Sequence, residues 1–186
     1  MAEDERVNEG DCLRLRGASA EGTTEIGRVL GAWLRAGDVV LLSGPLGAGK
    51  TTLTQGIAAG VGVADYVTSP SFTIVNEYRP KRPRAHPTFY HLDLYRISGA
   101  AEALDFGLEE YVGGEGIAVV EWAERAAEAM PSDYLLARLS IVDVETGERL
   151  IELCPRGTAL RARFASLRTA LTKFSLDDRA ESGKSE

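Results

Sequence analysis

The sequence predicts an α/β fold, a sandwich in which a mixed sheet is flanked by helices and ends in a C-terminal hairpin. Three observations predict it. Two short apolar runs, Val39–Leu42 and Ile117–Val120, have the length and composition of buried strands. Stretches with helical spacing alternate with strand-like runs, the pattern of an α/β sandwich. Near the C-terminus, Leu135–Val142 and Arg149–Cys154 flank a turn at Glu145-Thr146-Gly147, which gives the sheet an antiparallel portion.

Each element can be justified in order. Cys12–Arg16 reads as an edge strand. Thr23–Leu34 carries Ile26, Val29, Leu30, Trp33 and Leu34 at helical spacing, with Thr23 or Thr24 placed to cap its N-terminus. The strand Val39–Leu42 runs into a glycine-rich loop, and a helix follows over Lys50–Ala59, ending near Gly60. Phe72–Tyr78 and Thr88–Asp93 read as strands and Ala100–Phe106 as a short helix. Ile117–Glu121 is a second buried strand, and Ala123–Met130 is helical until Pro131 stops it. After the hairpin, Leu160–Phe174 forms an amphipathic helix. This is one domain, residues 11–175, between polar, aperiodic tails at 1–10 and 176–186 that read as disordered.

Composition narrows the function. Of 186 residues, 44% are apolar, ample for one core. No apolar run approaches the ~20 residues of a membrane span, and the acidic N-terminus lacks the apolar stretch of a signal peptide, so a cytoplasmic address and no membrane partner are expected. The net charge of −7 argues against broad, phosphate-driven nucleic-acid binding. A local exception, Arg79–Arg84, reads as a solvated loop or as a docking patch for RNA or an acidic partner. Cys12 and Cys154 are far apart, with no CxxC and no ligand-spaced histidines, and read as two reduced thiols.

The strongest signal is Gly44-Pro45-Leu46-Gly47-Ala48-Gly49-Lys50-Thr51, followed by Thr52. It fits the phosphate-loop pattern G-x-x-x-x-G-K-[ST] and lies between a buried strand and a helix. Glycines let main-chain N–H groups turn toward phosphates, and the helix starting at Lys50 points its positive end at the same anion. Lys50 reaches the β- and γ-phosphates and the Thr51 hydroxyl suits Mg²⁺, so ATP with Mg²⁺ is the expected ligand and the sandwich is expected to be P-loop NTPase-like.

Such a site also needs an acid near the metal at the end of a buried strand. Ile117-Ala-Val-Val-Glu121-Trp122 supplies Glu121, and His91-Leu-Asp93-Leu-Tyr-Arg96 supplies a competitor in Asp93. One acid could hold the metal while the other positions water, and sequence alone does not divide these duties. Arg96 reads equally as a salt-bridge partner or a γ-phosphate sensor, and His91 as structural. The hydroxyls of Thr68-Ser-Pro-Ser-Phe-Thr73 suit either a polar turn or a loop that moves with the γ-phosphate.

Gly44–Thr52, Thr68–Thr73, His91–Arg96 and Val120-Glu121-Trp122 together, in order and spacing, resemble the TsaE family, also called YjeE. The likeness covers about residues 17–154. It implies a bacterial ATPase of the pathway that makes N6-threonylcarbamoyladenosine at position 37 of tRNAs reading ANN codons. By the resemblance, Thr51 and Glu121 are the Mg²⁺ ligands, Asp93 is needed for activity alongside Lys50, and Trp122 sits beside the nucleotide. A purine contact is implied from the segment before the first helix and from the final hairpin, where Arg149 is the candidate. The implied partners are the TsaD and TsaB proteins, reset by slow ATP turnover to ADP, with tRNA engaged only indirectly. Two other readings share the loop: a small-molecule kinase, for which Arg79–Arg84 is the only lid-like stretch, and a nucleotide-gated assembly protein with negligible turnover.

Overall fold

The computed structural model describes residues 11–81 and 87–177. Seven strands form one sheet in the order β1-β7-β6-β2-β5-β4-β3: β1 Leu13–Gly17, β2 Val39–Ser43, β3 Val75–Tyr78, β4 Phe89–Asp93, β5 Ile117–Glu121, β6 Leu135–Ile141 and β7 Arg149–Pro155. The pairs β2–β5, β2–β6 and β4–β5 are parallel, whereas β1–β7, β6–β7 and β3–β4 are antiparallel. This is the expected mixed sheet, and the expected hairpin is β6–β7.

The central strands β2 and β5 are apolar up to their last residues, Ser43 and Glu121, because both faces are covered. Val40, Leu42 and Val119 face α1 (Ala20–Trp33), α2 (Lys50–Val61) and α5 (Thr158–Ala170), packing on Ile26, Leu30, Leu53, Ile57, Leu160 and Leu167. Val39, Leu41, Ala118 and Val120 face α3 (Ala100–Asp105), α4 (Leu108–Val112) and a 3-10 segment, Ala123–Ala129. Helices α1 and α2 touch through glycines: a Cβ on Gly31 would lie 2.8 Å from the carbonyl carbon of Ile57, and one on Gly27 would lie 2.9 Å from the Gly56 Cα. At the C-terminal end of α1, Arg163 of α5 ion-pairs with Asp38 and lies over the Trp33 ring, 4.1 Å from its centroid.

Several sequence expectations need correction. The cap of α1 is Ser19, whose Oγ accepts the Gly22 N–H at 3.2 Å. Thr23 and Thr24 lie inside the first turns, where the Thr24 hydroxyl donates to Ala20 O. The strand expected from Phe72 begins at Val75, because the Pro70 carbonyl accepts the N–H groups of Thr73 and Ile74 in a turn. The helix expected over Ala123–Met130 is a 3-10 segment with a break at Ala126. Cys12 and Cys154 are not separate thiols: they form a disulfide. Antiparallel pairing of β1 with β7 sets Leu13 opposite Leu153, which brings the flanking cysteines to a Cα separation of 4.3 Å despite a sequence separation of 142.

Half of the basic stretch, residues 82–84, and His86 lie outside the described residues, as do residues 1–10 and 178–186. Leu176 and Asp177, placed in the expected C-terminal tail, are described: the Leu176 N–H donates to Arg14 O. Among the described residues no helix is long and apolar enough to cross a membrane.

Candidate functional site

The site forms where three parallel strands end together. Register pairs Leu42 of β2 and Asp93 of β4 with the same residue of β5, Glu121. The chain leaves β2 through residues 44–49 and enters α2 at Lys50. Gly44 needs to be glycine twice over: its φ is +147°, and a Cβ there would run into the Leu139 carbonyl. Gly49, at φ +97°, turns the main chain into α2, so the first free amides of the helix face the loop's hollow.

Beside that hollow lies a cavity of about 730 Å³, within the size range of small-molecule sites. Leu46, Gly47, Gly49, Lys50, Thr51 and Thr52 line it from the loop and α2. Asp93, Tyr95, Arg96, Glu121 and Trp122 line it from the strand ends, and Ser69 and Ser71 from the hydroxyl-rich segment. The structure thus brings together Lys50, Thr51, Asp93, Glu121 and Trp122. Gly44, Pro45 and Ala48 shape the loop without lining the cavity, and Arg149 stands behind it.

Polar contacts order this wall. The Lys50 ammonium donates to Gly44 O at 2.9 Å and Pro45 O at 3.1 Å and lies 4.8 Å from the centroid of the Trp122 ring. The Thr51 hydroxyl donates to Glu121 Oε1 at 3.4 Å. His91 Nε2 lies 3.0 Å from the same oxygen, with the imidazole fully buried. Because side chains alternate along strands, His91 and Asp93 on β4 and Glu121 on β5 share one face of the sheet. Nε2 is therefore the nitrogen that carries a proton toward the carboxylate, and Nδ1 has no hydrogen-bond partner. Asp93 Oδ2 accepts the hydroxyls of Ser69 at 3.0 Å and Ser71 at 2.9 Å, while Oδ1 accepts the Tyr95 N–H at 3.0 Å.

Two residues flanking these acids hold left-handed backbone without being glycine: Trp122 at φ +59° and Ile74 at φ +67°. Such strain costs on the order of 1–3 kcal/mol per residue and gathers at binding sites and switch segments. Trp122 follows Glu121 directly, and the Ile74 carbonyl accepts the Asp93 N–H at 2.9 Å.

The donor set fits ATP with Mg²⁺. A hydroxyl and a carboxylate within 3.4 Å of each other are hard oxygen donors. Magnesium commonly takes one or two protein oxygens and completes its shell with phosphate and water. Among the described residues no group of three or more His, Cys, Asp or Glu stands ready as a complete metal cage.

Three further side chains hold the acids of this wall: His91, Ser69 and Ser71. The sequence reads His91 as structural; it touches the Glu121 carboxylate across the β4–β5 register, a contact that no spacing within one strand signals. Ser69 and Ser71, left open between a turn and a nucleotide contact, hydrogen-bond Asp93.

Comparison with known proteins agrees with the fold and motifs. The family model "Threonylcarbamoyl adenosine biosynthesis protein TsaE" matches residues 17–151. The tRNA threonylcarbamoyladenosine biosynthesis protein TsaE of Bacillus subtilis is 40% identical over 136 residues, 73% of this chain and 80% of that protein. The protein so named from Treponema pallidum is 40% identical over 130 residues, 70% of this chain and 93% of that one. A crystal structure of Bacillus subtilis YdiB superposes with a TM-score of 0.66 at 33% identity, covering 87% of this chain and 95% of that one. On the match across residues 17–151 and these identities, the chain belongs to the TsaE family.

Proposed function

We propose that this chain is a Mg²⁺-dependent ATPase that serves tRNA N6-threonylcarbamoyladenosine synthesis in the cytoplasm. In this reading it acts on a TsaD–TsaB complex and does not transfer the threonylcarbamoyl group itself. The observation that carries the reading is the meeting of Lys50, Thr51, Asp93 and Glu121 in one cavity at the mouth of the glycine loop. The family names of the relatives support the pathway.

In this reading the amides of residues 44–51 cradle the phosphates, and the Lys50 ammonium, already in the cavity wall, turns from Gly44 O and Pro45 O to their oxygens. Thr51 and Glu121 would hold Mg²⁺, which would supply positive charge to neutralise the phosphoryl oxygens. His91 fixes the Glu121 carboxylate. Asp93, its orientation set by two serines and the Tyr95 amide, accepts a hydrogen bond from the attacking water. The water oxygen bonds to the γ-phosphorus as the bond from that phosphorus to the bridging oxygen of ADP breaks, and the water's proton leaves with the released phosphate. Slow intrinsic turnover is expected, as the resemblance to the family implies.

The test measures phosphate release and nucleotide affinity, with and without TsaD–TsaB and with small acceptors. Glu121→Ala should lose Mg²⁺-dependent hydrolysis, and Lys50→Ala should weaken binding itself. Turnover unchanged in both variants sinks the site assignment. Phosphate appearing on an acceptor instead of in water identifies a kinase, and tight binding without turnover identifies a nucleotide-gated assembly protein.

A further inference from the structure

Arg149, at the start of β7, has its guanidinium committed to main-chain carbonyls. Nε donates to Ala48 O and Nη2 to Gly47 O, each at 3.1 Å. Nη1 donates to Asp143 O and Glu148 O, each at 3.0 Å, within the β6–β7 turn. The side chain therefore bridges the turn and the glycine loop with four hydrogen bonds. It does so from behind. Gly47 and Gly49 line the cavity and Arg149 does not, and a Cβ built on Gly49 would point at the Arg149 Cγ and Nε, each 3.9 Å away.

From this geometry we infer that Arg149 is a positioning residue for the phosphate cradle, acting through the loop's peptide planes and not by touching the nucleotide base. The inference rests on the nucleotide reading above and deepens it. A trans peptide holds its C=O and N–H on opposite sides, and the described chain has no cis peptide. Fixing Gly47 O thus fixes the Ala48 N–H, and fixing Ala48 O fixes the Gly49 N–H. The Ala48 N–H is spent inside the loop, donating to Pro45 O at 3.1 Å. The Gly49 N–H is directed away from the guanidinium, toward the hollow where a phosphate would sit.

The bridge has a rigid abutment. Glu148 pairs with Arg16 of β1 through two hydrogen bonds, at 2.6 and 2.8 Å. The Arg16 hydrogen bond and charge hold the Glu148 carboxyl below its ordinary value. A lysine cannot replace this clamp, because one ammonium does not present the planar fork that spans adjacent carbonyls.

The experiment measures binding of ATP, ADP and inorganic triphosphate by calorimetry to the full chain and to Arg149→Met and Arg149→Lys. A base contact and a cradle contact separate here, since inorganic triphosphate has no base. Loss of about 10- to 100-fold, equal for all three ligands and rescued less than about 3-fold by lysine, is the expected result. Loss confined to ATP and ADP overturns the inference in favour of a base or sugar contact. Full rescue by lysine overturns it in favour of charge alone. Unchanged affinity in the methionine variant overturns it outright. If that variant does not fold, Arg149→Gln, which keeps a neutral donor, answers the same three comparisons. A wild type that binds none of the ligands overturns the nucleotide reading and this inference with it.

Discussion

Substituting Gly31 by alanine tests how α2, and with it Lys50 and Thr51, is held in place. A Cβ there would sit 2.8 Å from the Ile57 carbonyl carbon and 2.9 Å from its Cα, closer still to its oxygen. Ordinary contact begins near 3.4 Å, so α1 and α2 must separate by at least 3.4 − 2.8, about 0.6 Å. The obstacle is backbone, which cannot rotate aside as a side chain would. Overpacking of this kind costs about 1–3 kcal/mol, against which alanine returns up to ~1 kcal/mol of helix propensity. Gly22, in the same helix, supplies the reference: its Cβ would meet nothing nearer than 3.6 Å. Gly22→Ala should therefore be neutral or stabilising by up to ~1 kcal/mol. The propensity gain is common to both variants, so at about 2–4 °C per kcal/mol for a domain of this size the overpacking cost should separate them by roughly 2–12 °C in Tm. Thermal and urea unfolding of the pair are the assay. A Gly31→Ala protein as stable as Gly22→Ala would refute the claim that main chain meets main chain at this crossing.

Three further outcomes follow from the same structure. His91→Phe keeps the ring but removes the donor to Glu121 Oε1; the Mg²⁺ concentration for half-maximal nucleotide binding should rise about 10-fold or more, with Mg²⁺-free affinity unchanged, and an unshifted Mg²⁺ curve contradicts the role given to His91. Cys12→Ser opens a closure spanning 142 residues; loop entropy alone puts the loss near 5 kcal/mol and typical disulfides near 2–4 kcal/mol, so a urea midpoint equal to wild type under oxidising conditions contradicts the bond's contribution. The Glu25 carboxyl, hydrogen-bonded by Arg28, is held down to about 2 from its ordinary 4.5. Its folded value is depressed, so its contribution is present above pH 4.5 and lost as pH falls toward 2; the stability gap between wild type and Glu25→Gln should close over that window.

Much of this was legible locally, and what was not has a physical cause. The glycine loop, β2 and β5 carry their own signals, because a strand buried on both faces must be apolar throughout and the loop must bend where a Cβ would clash. The hairpin announced itself through Gly147 and its flanking runs. By contrast, α4 spans only Leu108–Val112, too short for a helical period to register. The cap at Ser19 was overlooked because Thr23 and Thr24 offer equally good hydroxyls, and only backbone geometry chooses among them. The contact of His91 with Glu121 joins residues 30 apart in the chain. The parallel register of β4 and β5 creates it, and no spacing rule within either strand reveals it. The commitment of Arg149 to Gly47 and Ala48 is similar: the family resemblance implies a purine contact there, and only the tertiary fold brings these main-chain acceptors within reach.

The bond between Cys12 and Cys154 also changes what a cut in the chain can do. It turns everything from β1 to β7 into one covalent circle that encloses every residue lining the cavity at the glycine loop. A single protease nick within that circle leaves a linear molecule of unchanged mass on a non-reducing gel, and two pieces part only once a thiol reagent is added.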